Sequence, residues 1–347
     1  MKNLYFFVLF IALFASLGTH AQKLIAVQNN TTPFFYTSLD SAIVHAVDGD
    51  TIFLPGGNFP LGNTTIAKQL HIIGVGHHPD SSIATNPTNI VPASPLKILT
   101  GASGGSIIGI RLFGNYTPIN FGTSNSNSNI NGFTIGNCYL GAIYISYGGE
   151  SNILFYGNIL GPLSATTSFY SHNRFYNNVF KDYIFIGSDM YFSNNIFLYS
   201  SHNSGYVIAN ASYSQFENNV FLPSSVIYTN TTSYYNNFRN NIFVSNYSFP
   251  YGTNTGSNNI INQAASSIFV NQSGSTFSYS DDYHLQPTSP GKNAGRDGTD
   301  IGIYGGAYPW KDGSIPFNPH FQKVVVSPTT NTSGNLNVNI QVEAQDR

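Results

Sequence analysis

The chain has 347 residues, of which only 8% are charged, and its formal net charge is -2 at pH 7. With no run of lysine or arginine, it lacks the electrostatic footprint of a binder of nucleic acid or of an anionic membrane. Phe and Tyr number 27 and 23, so the polar surface must be built from Asn, Ser, Thr, Gly and Tyr rather than from Lys and Glu.

The N-terminus reads Met1, Lys2, then the apolar run "LYFFVLFIALFASL", then "GTHAQ" with Thr19 and Ala21 placed for cleavage before Gln22. This pattern predicts a secretory signal peptide over 1–21. An N-terminal membrane anchor would need about 20 apolar residues. The mature chain is therefore expected to be secreted, or held at the cell surface, with no membrane span after cleavage. No cysteine lies near the cleavage point, which excludes a lipid-modified one. The single cysteine, Cys138, cannot pair within the chain, so stability must come from packing. It reads as a small buried hydrophobe rather than a nucleophile.

Next comes "SLDSAIVHAVDGDTIFLPGGNFPLGNTTIAKQLHIIGVG". It predicts a short helix around Ser41 to Val47, a first strand entered through "DGDTI", a Gly/Pro turn and a "HIIGVG" strand. In "GHHPD", His77 and His78 stand beside Asp80, but neighbours in a strand face opposite ways and no spaced partner completes a ligand set, so a polar turn is expected. "GASGGS" lacks the Lys and following helix of a phosphate loop.

From here the chain repeats. The segments "FYGNIL", "FYNNVF", "FSNNIF", "FENNVF", "FRNNIF" and "GSNNII" align on Asn158, Asn178, Asn195, Asn219, Asn241 and Asn259, with successive differences of 20, 17, 24, 22 and 18. "TIGNCY", aligned on Asn137, adds 21. Repeats of this length, rich in aromatic and β-branched residues and punctuated by Asn and Gly, predict a solenoid of short strands and turns. Asparagine suits its corners because it tolerates the left-handed conformation and its amide both donates and accepts. Stacked coils would then align Phe155, Phe175, Phe192, Phe216 and Phe238 in one internal ladder. Leu160, Phe180, Phe197, Phe221 and Phe243 would form a second.

After the repeats, "SDDYH" places Asp281, Asp282 and His284 close together, and "GTDIGIYGG" reads as close-packed capping turns. Beyond Trp310, "KVVVSP", a polar turn and the alternation of Leu336, Val338, Ile340, Val342 and Ala344 predict a terminal hairpin that covers the last coil. The expected organisation is a signal peptide at 1–21, a solenoid with its N-terminal cap at 22–310, and capping strands or a tail at 311–347.

With these motifs, the chain resembles the right-handed parallel β-helix proteins of the pectate-lyase-like superfamily, secreted Bacteroidetes type. The opening segment at 38–76 is similar to the start of such folds, and "YHLQPTSPGKNAGRDGTDIGIYGG" to the segment that finishes their last coil. The implied class is all-β: a right-handed parallel β-helix with a short N-terminal capping helix and a C-terminal capping hairpin. The resemblance does not choose a reaction, because the fold carries lyases, hydrolases, adhesins and inert spikes.

Lyases of this class use calcium-binding carboxylates from adjacent coils with an Arg or Lys base. Between Ser151 and Ser280 the acids are Asp182, Asp189 and Glu217, at different places in the repeat, so no calcium cluster follows. Asp281, Asp282 and His284 are candidates for acid-base work, read first as a capping turn. Glu217 and Arg239 share one slot of consecutive copies, as a surface ion pair or, alternatively, an acid-base pair. Tyr156 and Tyr176 occupy the same slot earlier and are candidates to stack on sugar rings or pack on each other. The expected function is a secreted, non-catalytic β-helix that binds a polysaccharide or cell-surface glycan, or another extracellular surface component, as a monomer without a cofactor. The alternative is a polysaccharide lyase or glycoside hydrolase, and only the lyase would call for calcium.

Overall fold

A computed structural model describes residues 23–344 apart from 30–31, 63–64, 83–84, 113–118, 124–128, 146–148, 166–171, 199–205, 228–232, 273 and 318. The segment read as a signal peptide lies outside the described residues.

The protein is an all-β parallel solenoid of about 8 turns. Its longest sheet has 12 strands. It opens with the antiparallel strands Thr32–Tyr36, Ile25–Asn29 and Thr51–Phe53. It then runs in parallel through His71–Ile73, Ser106–Ile108, Thr134–Gly136, Leu154–Tyr156, Arg174–Tyr176, Tyr191–Ser193, Gln215–Glu217, Asn237–Arg239 and Thr255–Ser257. A second face carries Ile159–Leu160, Val179–Phe180, Ile196–Phe197, Val220–Phe221 and Ile242–Phe243, and a third runs from Leu96–Ile98 to Ile208–Ala209.

The Asn-Asn corner joining the first two faces divides its work between its two residues. The first asparagine takes the left-handed conformation, with φ of 55°, 57°, 56°, 51° and 54° at Asn177, Asn194, Asn218, Asn240 and Asn258. The second turns inward and builds a ladder. In each of Asn158, Asn178, Asn195, Asn219 and Asn241, the backbone N–H and the side-chain Nδ2 both donate to the next asparagine's Oδ1, at 2.9 to 3.1 Å. Each Nδ2 also donates to a carbonyl of the preceding coil, as Asn195 does to Phe175 O at 2.9 Å. The side-chain amides thus satisfy backbone groups that a buried corner would otherwise orphan.

One alignment is corrected. Strand register pairs Gly136 with Tyr156, so Asn137 matches Gly157, the left-handed position, and Cys138 occupies the ladder slot. The Cys138 N–H donates to Asn158 Oδ1 at 2.9 Å. The thiol is fully buried, and burial pushes its pKa up to about 12.

Both phenylalanine ladders form. Phe155, Phe175, Phe192, Phe216 and Phe238 stack at 4.6 to 4.9 Å. Phe180, Phe197, Phe221 and Phe243 do the same at 4.6 to 4.9 Å. These separations reproduce the interstrand spacing of about 4.8 Å, so the backbone ladder sets the ring stacking. At about 1.5–3 kcal/mol per buried side chain, these rings dominate the core.

The helix spans Leu39–His45, two residues earlier than expected, because the Ser38 hydroxyl caps it by accepting from Ser41 N. Lys68 closes its other end on the carbonyls of Ile43, Val44 and Ala46. The predicted hairpin pairs His320–Thr330 with Leu336–Glu343. Among the described residues, no helix is long and apolar enough to cross a membrane.

The segment after the last coil differs from expectation. "GTDIGIYGG" is not a stack of end turns but part of a strap that runs back along the solenoid, coil by coil. Asn240 Nδ2 donates to Ala294 O, Asn218 Oδ1 accepts from Arg296 N, and Asn194 Nδ2 donates to Asp300 O and Gly302 O. Asn177 Nδ2 reaches Ile303 O and Gly305 O, and Ser314 Oγ donates to Gly157 O. The left-handed asparagines, whose side chains point out of the corner, therefore dock the strap. It is held there by a second core: Ile159, Val179, Ile196, Val220 and Ile242 face outward yet are completely buried, beneath Ile268, Phe269, Leu285, Ile301 and Ile303. Gly302, at φ 93°, holds a backbone conformation that residues with a side chain rarely adopt.

Candidate functional site

In the three-residue strands of the long sheet from Thr51–Phe53 to Asn237–Arg239 the middle side chain enters the core and its two neighbours face out. The outer row of the N-terminal coils forms a groove of about 530 Å³. Its floor is His71, Ser106, Thr134 and Leu154, and the strap supplies one wall through Tyr308 and Phe317. His71 Nδ1 lies 2.9 Å from Ser106 Oγ. Tyr156 closes one side, its ring lying so close over Gly136 that any side chain there would meet it at 2.3 Å.

Tyr308 ties the two tyrosine candidates together. Its ring stacks on Tyr156 at 5.0 Å and contacts Tyr176 at 5.2 Å, and Tyr176 meets Tyr191 at 5.6 Å. Tyr156 and Tyr176 are half-buried rather than free-standing. Burial raises the Tyr176 pKa, and burial together with a hydrogen bond to Glu217 raises that of Tyr191, so both stay neutral hydroxyls.

Glu217 and Arg239 are paired in register as expected, but the pair is not a surface one. The Glu217 side chain is 5% exposed and anchors the strap: Oε1 accepts from Arg296 at 2.7 Å and faces Arg239 at 3.5 Å, while Oε2 accepts from Tyr191 OH at 2.7 Å. Beside it a shallower depression brings together His172, Arg174, Asp189 and Gln215, with His172 and Asp189 3.0 Å apart.

Asp281, Asp282 and His284 lie elsewhere, in a cavity of about 350 Å³ between the strap and the segment 277–284, and Asp282 and His284 belong to the strand Asp282–Leu285 rather than to the expected capping turn. His284 Nδ1 lies 2.7 Å from Asp282 Oδ1, and its ring lies flat on Tyr304 at 3.6 Å. Partial burial works to raise the Asp282 pKa, but the backbone N–H and imidazole of His284 hold it below the usual value. The same cavity takes in His77 and His78, which are more than a polar turn. His77 is fully buried, with Nδ1 3.0 Å from the hydroxyl of Tyr279. The Glu217–Arg239 pair does not line this cavity. Among the described residues, no group of three or more His, Cys, Asp or Glu side chains converges as a metal site.

Tyr308, Phe317, Arg296 and Trp310 were not legible as site residues. A signal existed in the paired apolar residues after each Asn-Asn: a strand with adjacent side chains both apolar has two faces to bury, and the second face demanded a cover. No protein-family model and no curated protein matches the chain.

Proposed function

We propose that the protein is an exported, non-catalytic glycan-binding β-solenoid of the pectate-lyase-like type, which binds neutral stretches of a polysaccharide or cell-surface glycan along its long sheet. One observation carries this reading: Tyr156, Tyr308 and Phe317 surround a groove lined by no carboxylate, lysine or arginine among its described residues, with imidazole and hydroxyl groups in its floor. Aromatic faces and neutral hydrogen-bonding groups match the two sides of a sugar ring. Export rests on the Met1 to Gln22 pattern.

The alternative of a lyase or hydrolase would draw on Glu217 and Arg239. Both Glu217 oxygens are engaged, by Tyr191, Arg296 and Arg239, which supports an anchoring role instead.

Titration of the purified protein with neutral oligosaccharides, with and without calcium, tests the assignment. Weak binding that changes little with salt is expected, and the Tyr156→Ala, Tyr308→Ala double variant should lose it. Unchanged affinity in that variant clears the groove of a binding role. Calcium-dependent release of unsaturated product overturns the non-catalytic assignment.

A further inference from the structure

The cavity between the strap and the segment 277–284 is built differently from the groove, and what it lacks identifies what it takes. At its inner end His77 is completely buried, and its Nε2 has no hydrogen-bond partner within the protein. The Tyr279 hydroxyl donates to the His77 carbonyl at 3.2 Å and lies 3.0 Å from Nδ1. With the hydroxyl hydrogen committed to the carbonyl, Nδ1 is the donor and Nε2 is left as an unpaired acceptor. Burial, followed by the charge of its neighbours, holds the His77 pKa down at about 3, so the ring is neutral. A buried acceptor without a partner is a rarity in folded proteins. Here it asks for a ligand hydroxyl.

The outer end has the opposite need. Asp281, Asp282 and Asp312 line it: Asp281 accepts from Tyr283 OH at 3.0 Å, Asp282 accepts from the His284 N–H at 3.0 Å with His284 Nδ1 at 2.7 Å, and Asp312 accepts from Tyr304 OH at 3.1 Å with His284 Nε2 3.9 Å away, so three carboxylates share one imidazole. No lysine or arginine is among the described lining residues. Arg111 and Lys181 sit behind the inner end, over the Tyr139 ring, itself 6.1 Å from His77, while Lys311, the chain neighbour of Asp312, lies over the Phe317 ring at 4.8 Å. The lining itself is uneven in charge, with carboxylates at one end and the neutral His77 ring at the other. A cationic group would be held among the aspartates and kept from the His77 end. Between the two ends, Tyr304 and Trp310 provide apolar wall.

A bare metal ion does not satisfy this arrangement, because among the described residues no three ligating side chains converge. A hydrocarbon would leave the His77 acceptor unpaired, and a neutral sugar would add no counter-charge to three carboxylates that share the single imidazole of His284. A ring with hydroxyls at one end, a protonated amine at the other and an apolar face answers all three, and about 350 Å³ lies in the size range of small-ligand sites. We infer that this cavity is a second saccharide site, selective for a sugar that carries a free amine. The inference stands apart from the groove and does not depend on it.

Calorimetric titration of the full chain with glucosamine, N-acetylglucosamine and glucose tests it. Glucosamine should bind at least about tenfold more tightly than the other two, by virtue of its charge-assisted bonds, and more weakly as salt is raised. Asp282→Asn and Asp312→Asn should each reduce that preference, whereas Tyr156→Ala and Tyr308→Ala should leave it in place. The Asp312 side chain is 83% exposed, so its substitution reports on binding rather than folding, and circular dichroism checks this. Equal affinity for the three sugars overturns the inference, as does absence of glucosamine binding or a preference that survives in both folded Asn variants. Loss of the preference in the tyrosine variants would assign amine recognition to the groove and also overturn it.

Discussion

Arg296 Nη1 lies 2.7 Å from Glu217 Oε1, joining the returning strap to a carboxylate that is 5% exposed. Arg239 approaches the same oxygen only to 3.5 Å. Arg296→Ala should therefore cost about 1–2 kcal/mol, because it strips a nearly buried carboxylate of its closest cationic partner. Arg239→Ala should cost less, about 0.5–1 kcal/mol, because its contact is longer and Glu217 keeps its bonds from Arg296 and Tyr191. Urea titrations of the two variants check the order, and equal losses would show that Glu217 does not depend on the strap.

Phe197 sits between Phe180 at 4.8 Å and Phe221 at 4.6 Å and has no exposed surface. Truncation to alanine opens a cavity that neither stacked neighbour can fill without leaving its own strand. The expected loss is about 3–5 kcal/mol, read as a lower thermal midpoint. An unchanged midpoint would contradict the internal ladder.

Asn219 Oδ1 is the acceptor for two buried donors, the N–H and the Nδ2 of Asn195, both at 2.9 Å. Asn219→Ala should cost on the order of 3 kcal/mol, since both donors lose their partner where water cannot replace it. Asn259 ends the ladder and is partly exposed, so Asn259→Ala should cost about 1 kcal/mol. Denaturant midpoints of the pair measure the difference that burial makes.

His77 makes stability depend on pH. Its folded pKa of about 3 lies below its ordinary value of 6.5, so protonation favours the unfolded chain. Its contribution is complete above about pH 6.5 and is lost as the pH falls through the window down to about 3. In His77→Gln, stability should fall less steeply between roughly pH 6 and pH 4, by up to about 1.4 kcal/mol per pH unit. Parallel slopes for the two proteins would mean that His77 protonates as readily in the folded chain as in the unfolded one.

Much of the solenoid was legible in the sequence because, in a stack of coils, neighbours in space are equivalent positions in successive repeats. Once Asn178, Asn195, Asn219 and Asn241 were aligned, their contacts and those of the phenylalanines followed from the period alone. The period was less reliable where a copy was degenerate. Asn137 and Cys138 exchange places because a left-handed corner accepts either Asn or Gly, so one visible asparagine does not say which of the two slots it fills.

The candidate sites obeyed no such rule. Glu217 and Arg296 are 79 residues apart and His77 and Tyr279 are 202 apart, and nothing periodic connects them. The sequence by itself determined the coil, its corners and its internal ladders, since these repeat local chemistry at a fixed distance. Only the tertiary structure decided the path of the strap, and with it the groove under Tyr308 and the cavity at His77. That path depends on an outward apolar row, Ile159 to Ile242, finding a complementary apolar segment from beyond the last repeat, and such a match between surfaces leaves no spacing to read.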